Sequence, residues 1–165
     1  MLHLVAFALL TTAEEMPPPV VQWYGAESAI REPGYHIVES AEAWRDLWAR
    51  HRGDEVERAE QGWVQPPEVD FERYQVVACF SGPSWNANGE RVVSILEDGV
   101  TIHIRYDTIT YQTSGIDGGG VRCAPYGMWV IPKTGKVNLV IEENTQGLIG
   151  GEPIWTERHR RNRFW

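Results

Sequence analysis

Val76-Val77-Ala78-Cys79-Phe80, entered from Tyr74-Gln75 and closed by Ser81-Gly82-Pro83, is the stretch whose reading decides the fold. The run is too brief for a helix, and it is apolar at consecutive positions, so both of its faces must be covered. It reads as a central strand. The segments around it read as the elements that cover it: one amphipathic helix before it and two hairpins after it.

Gly34 to Glu39 reads as a strand, after which Ser40 is placed to cap a helix running to about Arg50. Trp44, Leu47, Trp48 and His51 fall at i, i+3, i+4 and i+7, a single stripe that must lie on a sheet. Tryptophans at this spacing are far more often core than cofactor box, and His51 at the end of the stripe reads as a partner for the helix C-terminal dipole. From Gly53 to Pro67 the chain turns charged and then proline-punctuated, the composition of a surface loop.

Arg91–Glu97 and Val100–Tyr106 flank Asp98-Gly99, the preferred pair for a type I′ hairpin. That turn sets Glu97 opposite Val100, Ile95 opposite Ile102 and Val93 opposite Ile104, with Ser94, Thr101, His103 and Arg105 on a solvated face. A second hairpin is expected from Tyr126–Pro132 and Lys136–Glu142 around Lys133-Thr134-Gly135. It would set Ile131 against Val137, Trp129 against Leu139 and Gly127 against Ile141, with Trp129 in the core. The expected fold is mainly β with a minor α component: an antiparallel sheet, sandwich or open barrel built from hairpins, with one amphipathic helix packed on it.

The remaining stretches carry the candidate chemistry. Pro83 to Gly89 is a loop by composition, and Trp85, with Asn86 and Asn88 beside it, is the best candidate for an exposed aromatic. Thr108 to Cys123 is irregular and Gly-rich, with Asp117 at its centre, and has no phosphate-loop or EF-hand order. Trp85, Asn86, Asn88 and Asp117 therefore form the candidate binding face. Cys79 and Cys123 would form a disulfide if their strands are neighbours; the alternative is two independent thiols. Two cysteines without CxxC or Cys/His spacing give no zinc motif, and no metal or other cofactor is expected. The adjacent Glu142 and Glu143 point to opposite faces of a strand, and no GxSxG or HExxH is present, so no catalytic constellation is expected.

The chain of 165 residues carries a net charge of −8, which argues against nucleic acid or an anionic membrane as the main partner. Eight Trp is high for this length and, on an exported β-rich body, prompts a carbohydrate-binding reading. Leu2 to Leu10 is apolar but too short to span a bilayer; with Ala13 before an acidic, proline-rich stretch it suits a signal peptide over 1–13 and hence export. Residues 14–33 read as an extended linker, 34–143 as the folded domain and 144–165 as a C-terminal tail. The basic run Arg158-His159-Arg160-Arg161 in that tail reads as solvated, or as a contact with an acidic surface, including the chain's own.

Three blocks, Ala43-Trp44-Arg45-Asp46-Leu47-Trp48, Val69-Asp70-Phe71-Glu72 with the strand to Phe80 and Gly82, and Pro125-Tyr126-Gly127-Met128-Trp129-Val130-Ile131-Pro132-Lys133, occur in an order and spacing that resembles the PrcB C-terminal-like family. The resemblance spans Tyr35 to Glu142. It implies a small β-rich domain, exported or lipid-anchored, that binds or stabilises another protein, such as a surface protease complex, and catalyses nothing. The chain departs from the family after Gly82, where Asn88-Gly89-Glu90 replaces a Gly-Gly-Tyr segment, and in a longer Gly-rich loop before Cys123. It also has no lipobox cysteine, so anchoring is not carried over. A protein-binding module is the leading reading, a carbohydrate-binding module the alternative, and a small hydrolase the third.

Overall fold

The structure, a computed structural model, describes residues 13–53, 65–113, 119–147 and 150–162. Its elements are β1 (Glu14–Glu15), β2 (Val21–Gly25), β3 (Gly34–Val38), α1 (Ala41–Arg52), β4 (Tyr74–Phe80), β5 (Ser84–Trp85), β6 (Ala87–Asp98), β7 (Thr101–Thr110), β8 (Arg122–Cys123), β9 (Tyr126–Pro132), β10 (Asn138–Asn144) and β11 (Trp155–Asn162). They form three layers. A five-stranded sheet in the order β1-β6-β7-β10-β11 packs on a four-stranded sheet in the order β2-β9-β4-β3, whose far face carries α1.

The run Val76–Phe80 lies in the middle layer, as its unbroken apolar character requires. Strand β4 is paired antiparallel to β3 on one side and β9 on the other. Val77 and Cys79 face the five-stranded sheet with Trp129, Ile131, Ile104, Tyr106, Leu139 and Ile141. Val76, Ala78 and Phe80 face the helix layer with Met128, Val130, Trp44 and Leu47. Burying each larger apolar side chain in such a layer contributes roughly 1.5–3 kcal/mol.

Helix α1 begins where expected. Ser40 keeps an extended backbone, and its hydroxyl accepts a hydrogen bond from the Ala43 N–H at 3.3 Å. Trp44, Leu47 and His51 are buried. Trp44 donates its indole N–H to the Pro67 carbonyl and stacks on Trp23 at 5.7 Å, while Trp48 lies 5.3 Å from Trp44. This Trp cluster accounts for three of the eight tryptophans. His51 is not the charged dipole partner the stripe suggested. Its Nδ1 lies 3.0 Å from the Ser28 hydroxyl, its ring packs 4.2 Å from Tyr126, and burial lowers its pKa to about 4, so it is a neutral core residue.

The β6–β7 hairpin forms, but with a different turn. Asp98 pairs with Thr101 and Ile95 with Ile104, so the loop is Gly99-Val100 rather than Asp98-Gly99. Gly99 has φ +53 and Val100 has no positive φ, the pattern of a type II′ turn. The loop moves by one residue and each cross-strand partner by two, so Ile95, Ile102 and Ile104 remain on the core face. Val93 does not join them: the register shifts between Val92 and Ser94, Val92 turns inward, and Val93 is half exposed. His103 lies outside the core, with its Nδ1 3.4 Å from Glu142.

The second hairpin does not form. β9 lies between β2 and β4, whereas β10 lies between β7, to which it is parallel, and β11. Trp129 and Leu139 do meet in one core, and Trp129 is fully buried, but they face each other across the two sheets and not along one ladder.

Both flanking segments belong to the fold. The expected linker 14–33 supplies β1, which pairs with Leu96 and Glu97, and β2, an edge of the second sheet. Met16 packs on the inter-sheet core, and Pro17–Pro19 carry the chain from one sheet to the other. The expected tail supplies β11, an edge of the five-stranded sheet, where Arg158 meets Glu143 at 2.6 Å and Arg161 meets Glu39 at 3.3 Å. The basic run therefore contacts the chain's own acidic residues.

Candidate functional site

Two constellations stand out: an exposed ribbon built on Trp85 and a buried carboxyl, Glu90.

Strand β5 pairs antiparallel with β8, which sets Ser84 opposite Cys123 and Trp85 opposite Arg122. Cross-strand partners share a face, so the Arg122 guanidinium reaches the Trp85 ring at 5.1 Å from its centroid. Gly120 lies close beside the ring, where a methyl group would sit 2.8 Å from Cε3. Trp85 is nevertheless 54% exposed, the most open of the described tryptophans. With Glu27, Arg31, Pro83, Ser84, Arg122 and Cys123 it lines an open depression of about 450 Å³.

Asn86 is the hinge pin of this ribbon. It takes φ +54, a left-handed conformation that Asn tolerates better than most residues. Its side-chain oxygen accepts from the Val121 N–H at 2.7 Å, its own N–H donates to the Val121 carbonyl at 2.9 Å, and its carbonyl accepts from the Tyr111 N–H at 2.9 Å. Asn86 thus positions Trp85 and does not face the depression. Asn88 is exposed at the start of β6 but is not among the lining residues. Asp117 lies outside the described residues.

The Cys79–Cys123 disulfide is not present: both are buried free thiols. The register explains it. Cys79 pairs with Gly127 on the β4–β9 ladder, whereas Cys123 pairs with Ser84 on the separate β5–β8 ladder, so strand pairing does not set the two cysteines opposite each other. A disulfide requires Cα atoms within about 7 Å. Burial, then the nearby Glu90, pushes the Cys79 thiol up to about 12.

Glu90 is fully buried. Its Oε1 accepts from the Ser81 hydroxyl at 2.5 Å and its Oε2 from the Thr108 hydroxyl at 2.6 Å, while its carbonyl accepts from the Trp129 indole at 3.1 Å. Tyr35 and Tyr106 join hydroxyls at 2.7 Å nearby, and burial raises both of their pKa values. Burial likewise raises the Glu90 carboxyl, against the opposing pull of its two hydroxyl donors. Gly127 makes this burial possible, because a methyl group there would overlap the Glu90 carbonyl. The site is closed to solvent on this account and is a structural knot between the sheets.

On the outer face of the five-stranded sheet, Glu142 pairs with Arg105 at 2.8 Å, and Glu157 with Arg160 at 2.6 Å. Arg105 also covers the ring of Trp155 at 5.1 Å. Glu143, on the opposite face of its strand, is taken by Arg158. Among the described residues no three His, Cys, Asp or Glu side chains come together as a metal-ligand set. No helix among them is long and apolar enough to cross a membrane.

The sequence pointed to Trp85 but missed Arg122, Arg31 and Glu27. A two-residue ladder has no periodicity to detect, so nothing local joins Arg122 to Trp85. Against protein families, curated proteins and solved structures, the chain has no match.

Proposed function

We propose that this protein is a non-catalytic, exported protein-binding or stabilising module that engages its partner through the Trp85–Arg122 ribbon. The observation that carries the reading is a tryptophan more than half exposed, held at the rim of an open depression by an arginine stacked on its ring. Trp and Arg are the residue types that most often dominate binding energy at protein interfaces. Leaving so large an apolar ring in water is otherwise unfavourable. The PrcB-like resemblance supports the same class, and the apolar Leu2–Leu10 segment supports export. A carbohydrate-binding face would set two or more rings in a line or cleft. Trp85 is the single aromatic lining this depression among the described residues, in company with two arginines and a glutamate, which favours a protein partner.

The test is Trp85→Ala, with the partner captured from native exported fractions on the wild-type protein and then titrated against both forms. The expected result is a complex weakened by about 2 kcal/mol or more at an unchanged melting temperature. A loss of fold stability of about 3–5 kcal/mol, as for truncation of a core ring, would make Trp85 structural and end the proposal.

A further inference from the structure

The charges around Trp85 go further than the presence of a site, and name the chemistry of what fills it. Among the described residues the depression is lined by Arg31, Arg122 and one acidic residue, Glu27, an excess of one positive charge on a chain of net charge −8. Among the described residues no carboxylate lies within ion-pair distance of Arg122, and its guanidinium lies over the Trp85 ring. Arg31 pairs with Glu27 at 3.6 Å, with both side chains more than half exposed. An ion pair so open contributes little and yields readily to a better placed carboxylate.

We infer that the occupant of this depression is an acidic segment of a partner protein, which lays an apolar side chain on Trp85 and offers a carboxylate to Arg122 and Arg31. This rests on the protein-binding reading and adds the partner's charge to it. A guanidinium held over an aromatic ring at this distance still has N–H donors to offer, and its planar fork matches a carboxylate in two parallel hydrogen bonds. The ring supplies apolar area, and the guanidinium supplies selectivity. The surrounding negative charge acts in the same direction. It repels an acidic partner from the rest of the surface, so that encounter is productive only at the basic depression.

The probe is a fluorescein-labelled extended peptide in which Asp alternates with Phe and Leu, alongside counterparts with Lys or Ser in place of every Asp. Anisotropy titrations against the full chain are expected to show binding of the Asp peptide that weakens as salt is raised, with the Lys peptide not bound. Arg122→Gln is expected to weaken the Asp peptide by about tenfold or more, and Arg122→Lys by less, while circular dichroism and the melting temperature stay unchanged. If Asp and Ser peptides bind alike, independently of salt and of Arg122→Gln, but Trp85→Ala abolishes both, the acidic-partner inference is overturned and the Trp85 anchor stands. If no peptide binds, or binding is indifferent to Trp85→Ala as well, both fall.

Discussion

At Glu90 two hydroxyl donors and the exclusion of water act in opposite directions. Ser81 and Thr108 each donate to one carboxyl oxygen, which favours the ionised form, but burial outweighs them and raises the pKa above its usual value. The groups around it give no cation to reverse this: Cys79 of β4, Tyr35 of β3 and Tyr106 of β7 are neutral, and Glu143 of β10 is negative and held by Arg158 of β11. With the folded pKa above the unfolded one, folding favours the protonated form. The stability that Glu90 contributes is complete below the ordinary carboxyl range and is lost as pH rises through the raised value. His51 acts in the opposite sense: its pKa is depressed to about 4 from 6.5, so its contribution is present above the ordinary imidazole range and lost as pH falls. Comparing wild type with Glu90→Gln cancels the His51 effect. The expected outcome is melting temperatures that converge in acid and separate towards neutral pH, with the variant the more stable there; parallel curves would exclude the assignment. None of this was legible in the sequence, where Glu90 follows Asn88-Gly89 in what reads as a turn. Its burial depends on the close approach of β6 to Gly127, a contact between distant segments.

Local elements were the most legible part of the chain, because a cap, an apolar period or a turn is written in consecutive residues. Ser40 and the Trp44–His51 stripe fix α1, and the apolar run fixes β4. Pairing is a different matter. Residue alternation tells which side of β9 and β10 is apolar, but not whether two apolar sides meet along one ladder or across two sheets, and here they meet across. The parallel partnership of β10 with β7 leaves no local trace at all. The β6–β7 turn lies between these cases: the strands and their core face were readable, while the loop position was settled by the bulge at Val93 and by the β1 pairing at Leu96 and Glu97. The turn can be tested directly. Gly99 has φ +53 and open space around it, so Gly99→Ala meets only backbone strain and is expected to cost about 1 kcal/mol in urea unfolding. Asp98 is a ladder residue paired with Thr101, and Asp98→Thr is expected to change stability by less than about 0.5 kcal/mol. The reverse order of costs would restore Asp98-Gly99 as the loop.

Across the whole molecule, the segments that composition set aside as linker and tail are the ones that close the sandwich. Arginine-rich β11 looked solvated because its charge is visible in the sequence and its partners are not. Glu143 and Glu39 lie in other parts of the chain, and only the fold brings Arg158 and Arg161 to them, whereas Arg160 pairs locally with Glu157 of the same strand. The same charges suit an outermost strand, where they discourage pairing with another chain. Inward, His159 stacks on Tyr35 of the other sheet at 5.5 Å, so β11 ties the two sheets together at their shared margin. A chain ending at Gly150 would leave the β10 ladder without its outer neighbour and uncover Ile141 beside it. A tail would be removed without consequence; a strand in this position would not. The expected outcome of that truncation is a large fall in melting temperature or loss of cooperative unfolding. His159→Ala in the full chain gives the milder reading, a loss of about 1 kcal/mol for the ring contact. Unchanged unfolding in both variants would return residues 155–162 to the status of a tail and leave β10 as the natural edge of the sheet.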